Sequence, residues 1–245
     1  MQDQLFHDPA LVQFYDAENG WREDTRFCVA LAADAKSVLD LGCGTGLLPA
    51  ALGVARDVWG VDPAAAMLEV ARRREGGDRV TWVEADARTV RLGRRFDLIL
   101  LTGHAFQCFL TDADQRALCE TIAAHLAPGG RFIFDSRNPA REEWREWVPA
   151  RSERVFELEP HGRVTAWNDV SYDPLAQIVT YQTSYRTASK MLRTATSRIR
   201  FAPKKDIAQR IAEAGLAVDK WLGDWQGGAY KPDAKEIIPI GRSAA

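Results

Sequence analysis

Three glycines at alternate positions stand out among the residues whose type and spacing could serve chemistry. Gly42, Gly44 and Gly46 directly follow the short apolar segment 37–41, which is typical of a buried strand. Such a turn lets the backbone approach a ligand, and the helix after it points its positive end at that ligand. We therefore expect a ligand-binding turn here. A tight strand–helix turn without a ligand is the alternative.

The spacing of these glycines does not match the common phosphate-binding signatures. In the dinucleotide fingerprint G-x-G-x-x-G, counted from Gly42, the third glycine would fall at Leu47, whereas this chain places it at Gly46. The turn also lacks the lysine of a P-loop. The pattern therefore favours a ligand that has no pyrophosphate.

A second group of polar residues, 135–139, follows a predicted strand and would emerge at the carboxyl edge, where α/β sheets bind ligands. Arg137 could pair with an acidic substrate, and Asn138 could hold a polar one. The alternative is a polar turn that Pro139 ends.

The elements that must position these residues alternate between strand and helix. Strands are predicted at 37–41, 58–62, 80–86, 96–101, 131–135, 216–225 and 236–242, and helices at 10–33 (with a break at Asn19-Gly20), 47–52, 63–74, 111–127 and 203–214. The turn Pro128-Gly129-Gly130 is expected to end the helix before the fifth strand. This alternation predicts an α/β fold: a doubly wound, mostly parallel seven-stranded sheet with helices on both faces.

Residues 150–201 break this rhythm. Segments 163–172, 177–186 and 191–201 are rich in β-branched and aromatic residues and are separated by short turns, which is typical of antiparallel hairpins. A strand at 154–158 could precede them. We expect an inserted β-meander that serves as a lid or substrate subdomain, with 1–149 and 202–245 forming one α/β domain.

The composition favours a small partner. Lys and Arg number 32 and Asp and Glu 34, so the net charge is −2, whereas proteins that bind long nucleic acids are usually basic. No segment approaches the ~20 apolar residues of a membrane span, and the first residues do not resemble a secretory signal. The four cysteines lack C-x-x-C spacing, which argues against zinc or a disulfide framework and favours the cytoplasm.

Five segments together resemble the class I S-adenosylmethionine (SAM)-dependent methyltransferases. Residues 38–46, Val-Leu-Asp-Leu-Gly-Cys-Gly-Thr-Gly, are similar to the first motif of that family. Further similarities lie at 59–63 with Met67-Leu68, 83–87, 96–100 and 126–131, and residues 235–241 fit the last strand. The order and spacing match over roughly residues 10–140.

The resemblance implies roles for individual residues. The turn at 42–46 would approach the methionine part of SAM, and Asp40 would orient its ammonium. Asp62 would accept hydrogen bonds from both ribose hydroxyls. Asp86 and the backbone of Ala87 would bind the adenine, and Met67 would pack against it. Capping of a strand–helix turn is the alternative for Asp62 and Asp86. The full predicted cofactor set is Tyr15, Asp40, Gly42, Cys43, Gly44, Gly46, Asp62, Pro63, Met67, Asp86, Ala87, Thr102 and Gly103.

Tyr15 and His104 each have two interpretations. Tyr15-Asp16 resembles a pair that closes over the cofactor in many small-molecule methyltransferases, but Tyr15 could simply pack beside Leu11 and Phe14. His104 and Gln107 follow the fourth strand, in a loop that borders both methyl donor and acceptor in this family. His104 could be the general base, or could orient the substrate or cap a helix.

The resemblance implies transfer of a methyl group from SAM to nitrogen or oxygen of a small molecule. We expect no metal, no nucleic-acid or membrane partner, a monomer or homodimer, and a cytoplasmic location. The alternatives are an RNA or protein methyltransferase and a non-catalytic SAM-binding regulatory module. RNA or protein is less favoured because the chain has no basic tail, and Leu47 disfavours a nicotinamide-dependent oxidoreductase. Predicted substrate residues are His104, Gln107, Arg137 and Asn138.

Overall fold

The computed structural model describes residues 3–244. Four short helices come first: α1 (Gln4–His7), α2 (Pro9–Val12), α3 (Tyr15–Glu18) and α4 (Glu23–Leu31). The alternating part runs β1 (Ser37–Leu41), α5 (Leu47–Leu52), β2 (Asp57–Asp62), α6 (Ala65–Arg73), β3 (Val80–Glu84), β4 (Phe96–Leu101), α7 (Asp112–His125), β5 (Leu126–Phe134) and β6 (Ser136–Arg137). After α8 (Pro149–Ser152) come β7 (Arg154–Leu158), β8 (Gly162–Asp173), β9 (Ile178–Arg186), β10 (Leu192–Arg200), α9 (Lys204–Glu213), β11 (Leu216–Leu222) and β12 (Glu236–Ser243).

The main sheet has the order β11-β12-β5-β4-β1-β2-β3, and the two-residue β6 pairs with β12. Strands β1 to β5 are parallel, whereas β12 runs antiparallel to β5, β6 and β11. The predicted doubly wound, mostly parallel sheet is therefore confirmed, with β6 as an eighth strand. The order reverses beside β1, and at such a switch point the strand ends diverge and leave room for a ligand.

The core of this sheet lies along β1 and β4. Val38, Leu39, Leu98 and Leu100 are at most 1% exposed, because helices cover both faces of the central strands. Parallel strands buried on both faces need continuous apolar sequences, which is why these segments were recognisable as strands. The central strands thus give a rigid base to the loops at their carboxyl ends.

Two helical predictions differ from the structure. Thr111 caps α7 as expected, accepting a hydrogen bond from the backbone N–H of Asp114, but the helix ends at His125, before the Pro-Gly-Gly turn. Strand β5 begins at Leu126, because Leu126 already pairs with Phe96 ahead of a register irregularity. The predicted helix at 10–33 is broken not only at Asn19-Gly20 but also at Gln13-Phe14.

The meander forms a second sheet of order β10-β9-β8-β7, antiparallel throughout, in which β7 is the suggested extra strand. Its inner face packs on the N-terminal segment: Phe14 is fully buried and stacks on Tyr185 with ring centroids 4.5 Å apart. Trp144 packs between Tyr172 and Phe201. No helix within residues 3–244 has both the length and the apolar composition for a membrane crossing.

Candidate functional site

The glycine turn after β1 adopts the left-handed backbone conformation at all three glycines, with φ of 71°, 54° and 76° at Gly42, Gly44 and Gly46. The backbone N–H groups of Gly42 and Cys43 donate to the carbonyl of Val61, which ties the turn to β2. The glycines serve different needs. A Cβ on Gly46 would lie 2.5 Å from Trp82, so this glycine is required by packing, whereas Gly44 faces the ring of Tyr15.

Asp40 and Asp62 lie at the carboxyl ends of β1 and β2, both buried. Asp62 accepts hydrogen bonds from the N–H of Gly44 to Oδ2 and from that of Ala64 to Oδ1, each at 2.9 Å. Oδ1 of Asp40 is enclosed and has no partner among residues 3–244. Burial raises the pKa of both carboxyls, most strongly for Asp40. A cationic group beside Asp40 would satisfy its unpaired oxygen and keep it ionised.

Two adjoining cavities open at this edge of the sheet. The first, which we call the glycine-loop cavity, has a volume of about 150 Å³ and is lined by Asp40, Gly42, Cys43, Thr102 and Gly103 among others. The second, the meander cavity, measures about 560 Å³ and is lined by residues such as Phe6, Trp147, Phe156, Tyr181 and Tyr185. Both cavities are lined by Tyr15, Asn19, Arg22, Gly103, His104 and Arg137.

The N-terminal segment closes over both cavities. Asp16 accepts a 2.5 Å hydrogen bond from the Thr45 hydroxyl and forms an ion pair with Arg74, which fixes α3 to the glycine turn. Glu18 pairs with Arg154 and accepts from the hydroxyl of Tyr185, which fixes the same helix to the meander. Between these contacts Tyr15 is held at the junction of the two cavities, where burial raises the pKa of its phenol.

The predicted adenine-binding residues have other partners in this structure. Met67 is 1% exposed and packs with Val12 and Ala64, with Phe6 and Tyr15 against them. Both carboxylate oxygens of Asp86 accept from Nε of Arg88 at 3.0 Å, and Oδ1 also accepts from the Arg88 backbone. The bond from the Arg88 backbone to Oδ1 is the one expected if Asp86 caps the turn. The guanidinium of Arg88 also lowers the pKa of Asp86. Ala87 is buried, and Pro63 is exposed beside Asp62.

His104 follows β4 in the left-handed conformation, with φ of 62°, and contacts two carboxylates. Its Nε2 lies 3.1 Å from each carboxylate oxygen of Glu236 and 3.5 Å from Oδ2 of Asp135. The backbone N–H of His104 donates to Oδ1 of Asp135 at 2.9 Å, which holds the loop in this conformation.

Burial dominates the pKa of every member of this cluster. It lowers the pKa of His104 to about 4, raises that of Glu236 to about 8 and raises that of Asp135 to about 6. The three ligand atoms lie within 4.8 Å of one another, a spacing that a metal ion could also use. We favour a hydrogen-bonded cluster, because Nε2 already faces both Glu236 oxygens and the guanidinium of Arg137 adds positive charge nearby.

Of the other predicted substrate residues, only Arg137 reaches the cavities. Gln107 is fully buried: its Nε2 donates to the carbonyl of Arg200 and its Oε1 accepts from Nη1 of Arg137 at 3.1 Å. Asn138 donates to the carbonyls of Pro232 and Ala234 at 2.9 and 2.8 Å and caps the turn at Ala140. Gln107 and Asn138 therefore position loops, and the structure does not bring them to either cavity wall.

The sequence patterns did not indicate Glu236, Glu18 or Arg154 as residues of the site. Glu236 is the first residue of β12 and pairs across the sheet with Arg137 of β6. An antiparallel strand brings its beginning to the edge where parallel strands end. Had β12 been assigned as antiparallel, that direction would have placed Glu236 beside the polar residues that follow β5. Glu18 and Arg154 carry no comparable sequence signal.

Comparisons with known proteins agree with this geometry. Residues 38–130 match a family model described as a methyltransferase domain. The chain is 27% identical over 251 residues to a cypemycin N-terminal methyltransferase of Streptomyces sp, covering 98% of each chain. It is 36% identical over 105 residues to a dTDP-3-amino-3,6-dideoxy-alpha-D-glucopyranose N,N-dimethyltransferase of Streptomyces fradiae, covering 41% of this chain and 39% of that protein.

Solved structures share the architecture over nearly the whole chain. The methyltransferase CcbJ from Streptomyces caelestis superimposes with a TM-score of 0.76 at 24% identity, covering 95% of this chain and 97% of its own. A SAM-dependent methyltransferase from Clostridium acetobutylicum ATCC 824 gives a TM-score of 0.81 at 17% identity, with coverage of 96% and 98%. The likeness therefore includes the meander as well as the main sheet.

The sheet order and the glycine turn define an α/β protein that binds its ligand at the carboxyl edge of the sheet, where the two cavities adjoin. Residues 38–130 match the methyltransferase-domain family, and over nearly its whole length the chain is similar to SAM-dependent methyltransferases. The residues present fit SAM: the unpaired buried oxygen of Asp40 suits the ammonium of its methionine part, and the glycines let the backbone approach it. SAM supplies a methyl group already activated on a sulfonium.

Proposed function

We propose that this protein methylates the nitrogen of a small amine held in the meander cavity. The observation that carries the proposal is the shared wall of the two cavities, where Tyr15, Gly103, His104 and Arg137 face both. A cofactor held by Asp40 and the glycine turn, and an acceptor held under the meander, would meet at this wall. Alignment at such a junction is the main contribution that a methyltransferase must make.

The size of the meander cavity supports a small acceptor. Its volume of about 560 Å³ lies within the range of small-molecule pockets, and aromatic side chains such as Trp147 and Tyr181 supply apolar contact area. Two of the relatives are named as a cypemycin N-terminal methyltransferase and as an N,N-dimethyltransferase of a dTDP-linked amino sugar. The N-terminal segment and the meander both line this cavity, and walls on two sides favour a small acceptor over RNA or a folded protein.

The charges at the junction support an amine. Methyl transfer moves positive charge from sulfur toward the acceptor atom, and fixed carboxylates nearby stabilise that charge. Glu143 lines the meander cavity next to Arg137, and Asp135 beside His104 is ionised above its pKa of about 6. Glu236, whose pKa burial raises to about 8, adds a negative charge only above that pH. A hydroxyl acceptor is the second candidate, since His104 could take its proton. A relative that is 26% identical over 180 residues is a ubiquinone biosynthesis O-methyltransferase of Proteus mirabilis.

The remaining assignments belong to the same proposal. Tyr15, Asp40, Gly42, Cys43, Gly44, Asp62, Thr102 and Gly103 hold SAM. Arg137 orients the acceptor, and His104 accepts its proton or positions it. We propose that the reaction is metal-free, that the protein is cytoplasmic and a monomer or homodimer, and that 150–201 forms the substrate subdomain. The single sheet made by β7 to β10 supports that boundary.

A paired acceptor screen tests the function. Purified protein and SAM would be mixed with amines and with their hydroxyl counterparts of the same carbon skeleton, and release of S-adenosylhomocysteine would be measured. We expect turnover with a subset of amines and at least tenfold less with the matching alcohols. Turnover of alcohols alone would contradict the amine assignment. SAM binding without turnover of any acceptor would favour the regulatory alternative.

A further inference from the structure

Two carboxylates, the buried one of Asp135 after β5 and the half-buried one of Glu236 in β12, converge on one edge of the His104 ring. Glu236 begins β12 and presents both oxygens to Nε2 at 3.1 Å. Asp135 follows β5 and is 1% exposed. Its Oδ1 holds the His104 backbone, and its Oδ2, 3.5 Å from Nε2, has no hydrogen-bond partner within residues 3–244. Burying a carboxylate oxygen without a hydrogen bond costs free energy. The position of Oδ2 beside the ring therefore points to a proton, or a positive charge on His104, that this oxygen stabilises.

The other ring nitrogen of His104 is left for a ligand. Nδ1 makes no hydrogen bond within the described part of the chain, whereas the side chain is 21% exposed and lines both cavities. A histidine whose Nε2–H is held by a carboxylate keeps its lone pair on Nδ1, where it can take a proton. The ring therefore connects the junction of the cavities to the two carboxylates.

We propose that Glu236, with Asp135, completes a proton relay through His104. The acceptor nitrogen forms a bond to the methyl carbon while the carbon–sulfur bond breaks and sulfur keeps the electron pair. The N–H proton then passes to Nδ1 of His104, and the proton on Nε2 passes to the carboxylate of Glu236. His104 is the catalytic residue, and Glu236 and Asp135 are positioning residues. This inference rests on the proposed function for its substrate.

Acidic groups outnumber basic ones around His104 and Glu236, which favours an additional proton shared by these two side chains. His104 is faced by Asp135 after β5, Glu236 of β12, Glu143 from the turn before α8 and Asp24 of α4, against Arg137 of β6. Lys235 adds one positive charge beside Glu236. Burial raises the pKa of Glu236 to about 8, so below that pH the Glu236 carboxyl is already protonated and cannot accept the proton of Nε2. Above that pH the carboxylate is free to accept it. Turnover should therefore rise as the pH passes about 8.

Kinetic measurements on matched variants test the relay. In Glu236→Gln we expect kcat to fall by at least tenfold, KM and SAM affinity to stay within threefold, and the rise near pH 8 to disappear. Glu236→Asp should retain that rise, because it keeps a carboxylate. Glu120→Gln, on the exposed face of α7, is the control and should match wild type. A wild-type pH profile in Glu236→Gln would overturn the relay.

A spectroscopic test needs no acceptor and so separates this inference from the proposed function. Histidine labelled with ¹⁵N would be followed by NMR in the S-adenosylhomocysteine complex, with His104 assigned by the signal lost in His104→Gln. We expect wild type at pH 9 to carry the proton on Nε2, and Glu236→Gln to lose this preference because an amide can also donate. A proton on Nδ1 at pH 9, no response to Glu236→Gln, or one tightly bound divalent metal per chain that shifts the His104 signal would overturn the relay.

Discussion

Asp40 and Asp62 end adjacent strands, yet their surroundings assign them different tasks. Asp62 already stabilises the glycine turn by accepting from Gly44 and Ala64, and each of its oxygens retains a lone pair for a ligand hydroxyl. Asp40 has an oxygen that nothing in residues 3–244 satisfies. Asp62 therefore stabilises the turn and, in the proposed function, also binds SAM, whereas the unpaired oxygen of Asp40 can accept a hydrogen bond from a cationic group.

Replacing Asp62 tests its binding role. We expect Asp62→Asn to weaken SAM affinity at least tenfold, about 1.4 kcal/mol or more, because ribose hydroxyls lose a charged acceptor. Calorimetric titration with SAM measures this. Asp57→Asn, at the exposed start of the same strand, is the control and should bind normally. An Asp62→Asn protein with unchanged affinity would remove Asp62 from the cofactor site.

Gly46 is required by packing, and a comparison with Gly93 can measure this requirement. Both glycines have positive φ, 76° and 68°, so alanine strains the backbone at both. A Cβ at Gly46 would also lie 2.5 Å from Trp82 and 2.7 Å from Ala71, whereas at Gly93 it meets nothing within 4 Å. We expect Gly46→Ala to lose about 1–3 kcal/mol more stability than Gly93→Ala in urea denaturation. Equal losses would show that Trp82 moves aside freely.

At the scale of elements, the sequence predicted strands better than it predicted the N-terminal helices. Segments 37–41 and 96–101 were predicted with the bounds of β1 and β4, because strands buried on both faces must be apolar throughout. The segment at 10–33 has a helical pattern, but its conformation is decided by distant partners. Phe14 stacks on Tyr185 of β9, and Asp16 and Glu18 are held by Arg74 and Arg154.

The candidate site divides in the same way. The glycines could be predicted from local sequence because a single turn contains all three. The aspartates of β1 and β2 could be predicted because they lie at the carboxyl ends of consecutive strands. Glu236 could not, since its approach to His104 depends on the antiparallel pairing of β12 with β6. Gln107 and Asn138 were predicted to contact substrate on position alone. Which way a polar side chain points is set by the carbonyls around it, here those of Arg200, Pro232 and Ala234.

Removal of the Phe14 ring tests whether docking of the N-terminal segment closes the cavities. Phe→Ala changes in a core cost about 3–5 kcal/mol. We expect Phe14→Ala to release residues 3–20 from the meander and to raise KM for the acceptor several-fold. Hydrogen exchange of the segment and steady-state kinetics would report both effects. Trp21→Ala removes a ring that is 43% exposed and should change neither. Slow exchange in Phe14→Ala would show that the ion pairs alone hold the segment.

For the whole molecule, the buried carboxyls near His104 predict a stability that depends on pH. The folded pKa of Glu236 is raised to about 8 and that of Asp135 to about 6, above their ordinary values of 4.5 and 3.8. At these two carboxyls the folded state therefore binds protons more tightly than the unfolded state, whereas at His104, whose pKa burial lowers to about 4, it binds them less tightly. The contribution of the two carboxyls is complete below about pH 4 and is lost as the pH rises through 6 and then 8.

Urea denaturation at pH 6 and pH 9 measures this dependence. Wild type should lose stability at the higher pH, on the order of a few kcal/mol, since one pKa unit corresponds to about 1.4 kcal/mol. Glu236→Gln should lose much less, because its amide does not ionise. If both proteins respond equally, Glu236 is solvated in the folded state and its pKa is ordinary.

The position of β12 has a consequence for the order in which the molecule is assembled. It follows β11 along the chain but is inserted between β5 and β11, so a late segment of sequence becomes an interior strand. During synthesis the glycine turn, Asp40 and Asp62 leave the ribosome long before Glu236 does. The residues of the cofactor pocket are thus available early in synthesis. Glu236 can contact His104 only after β12 has paired into the sheet.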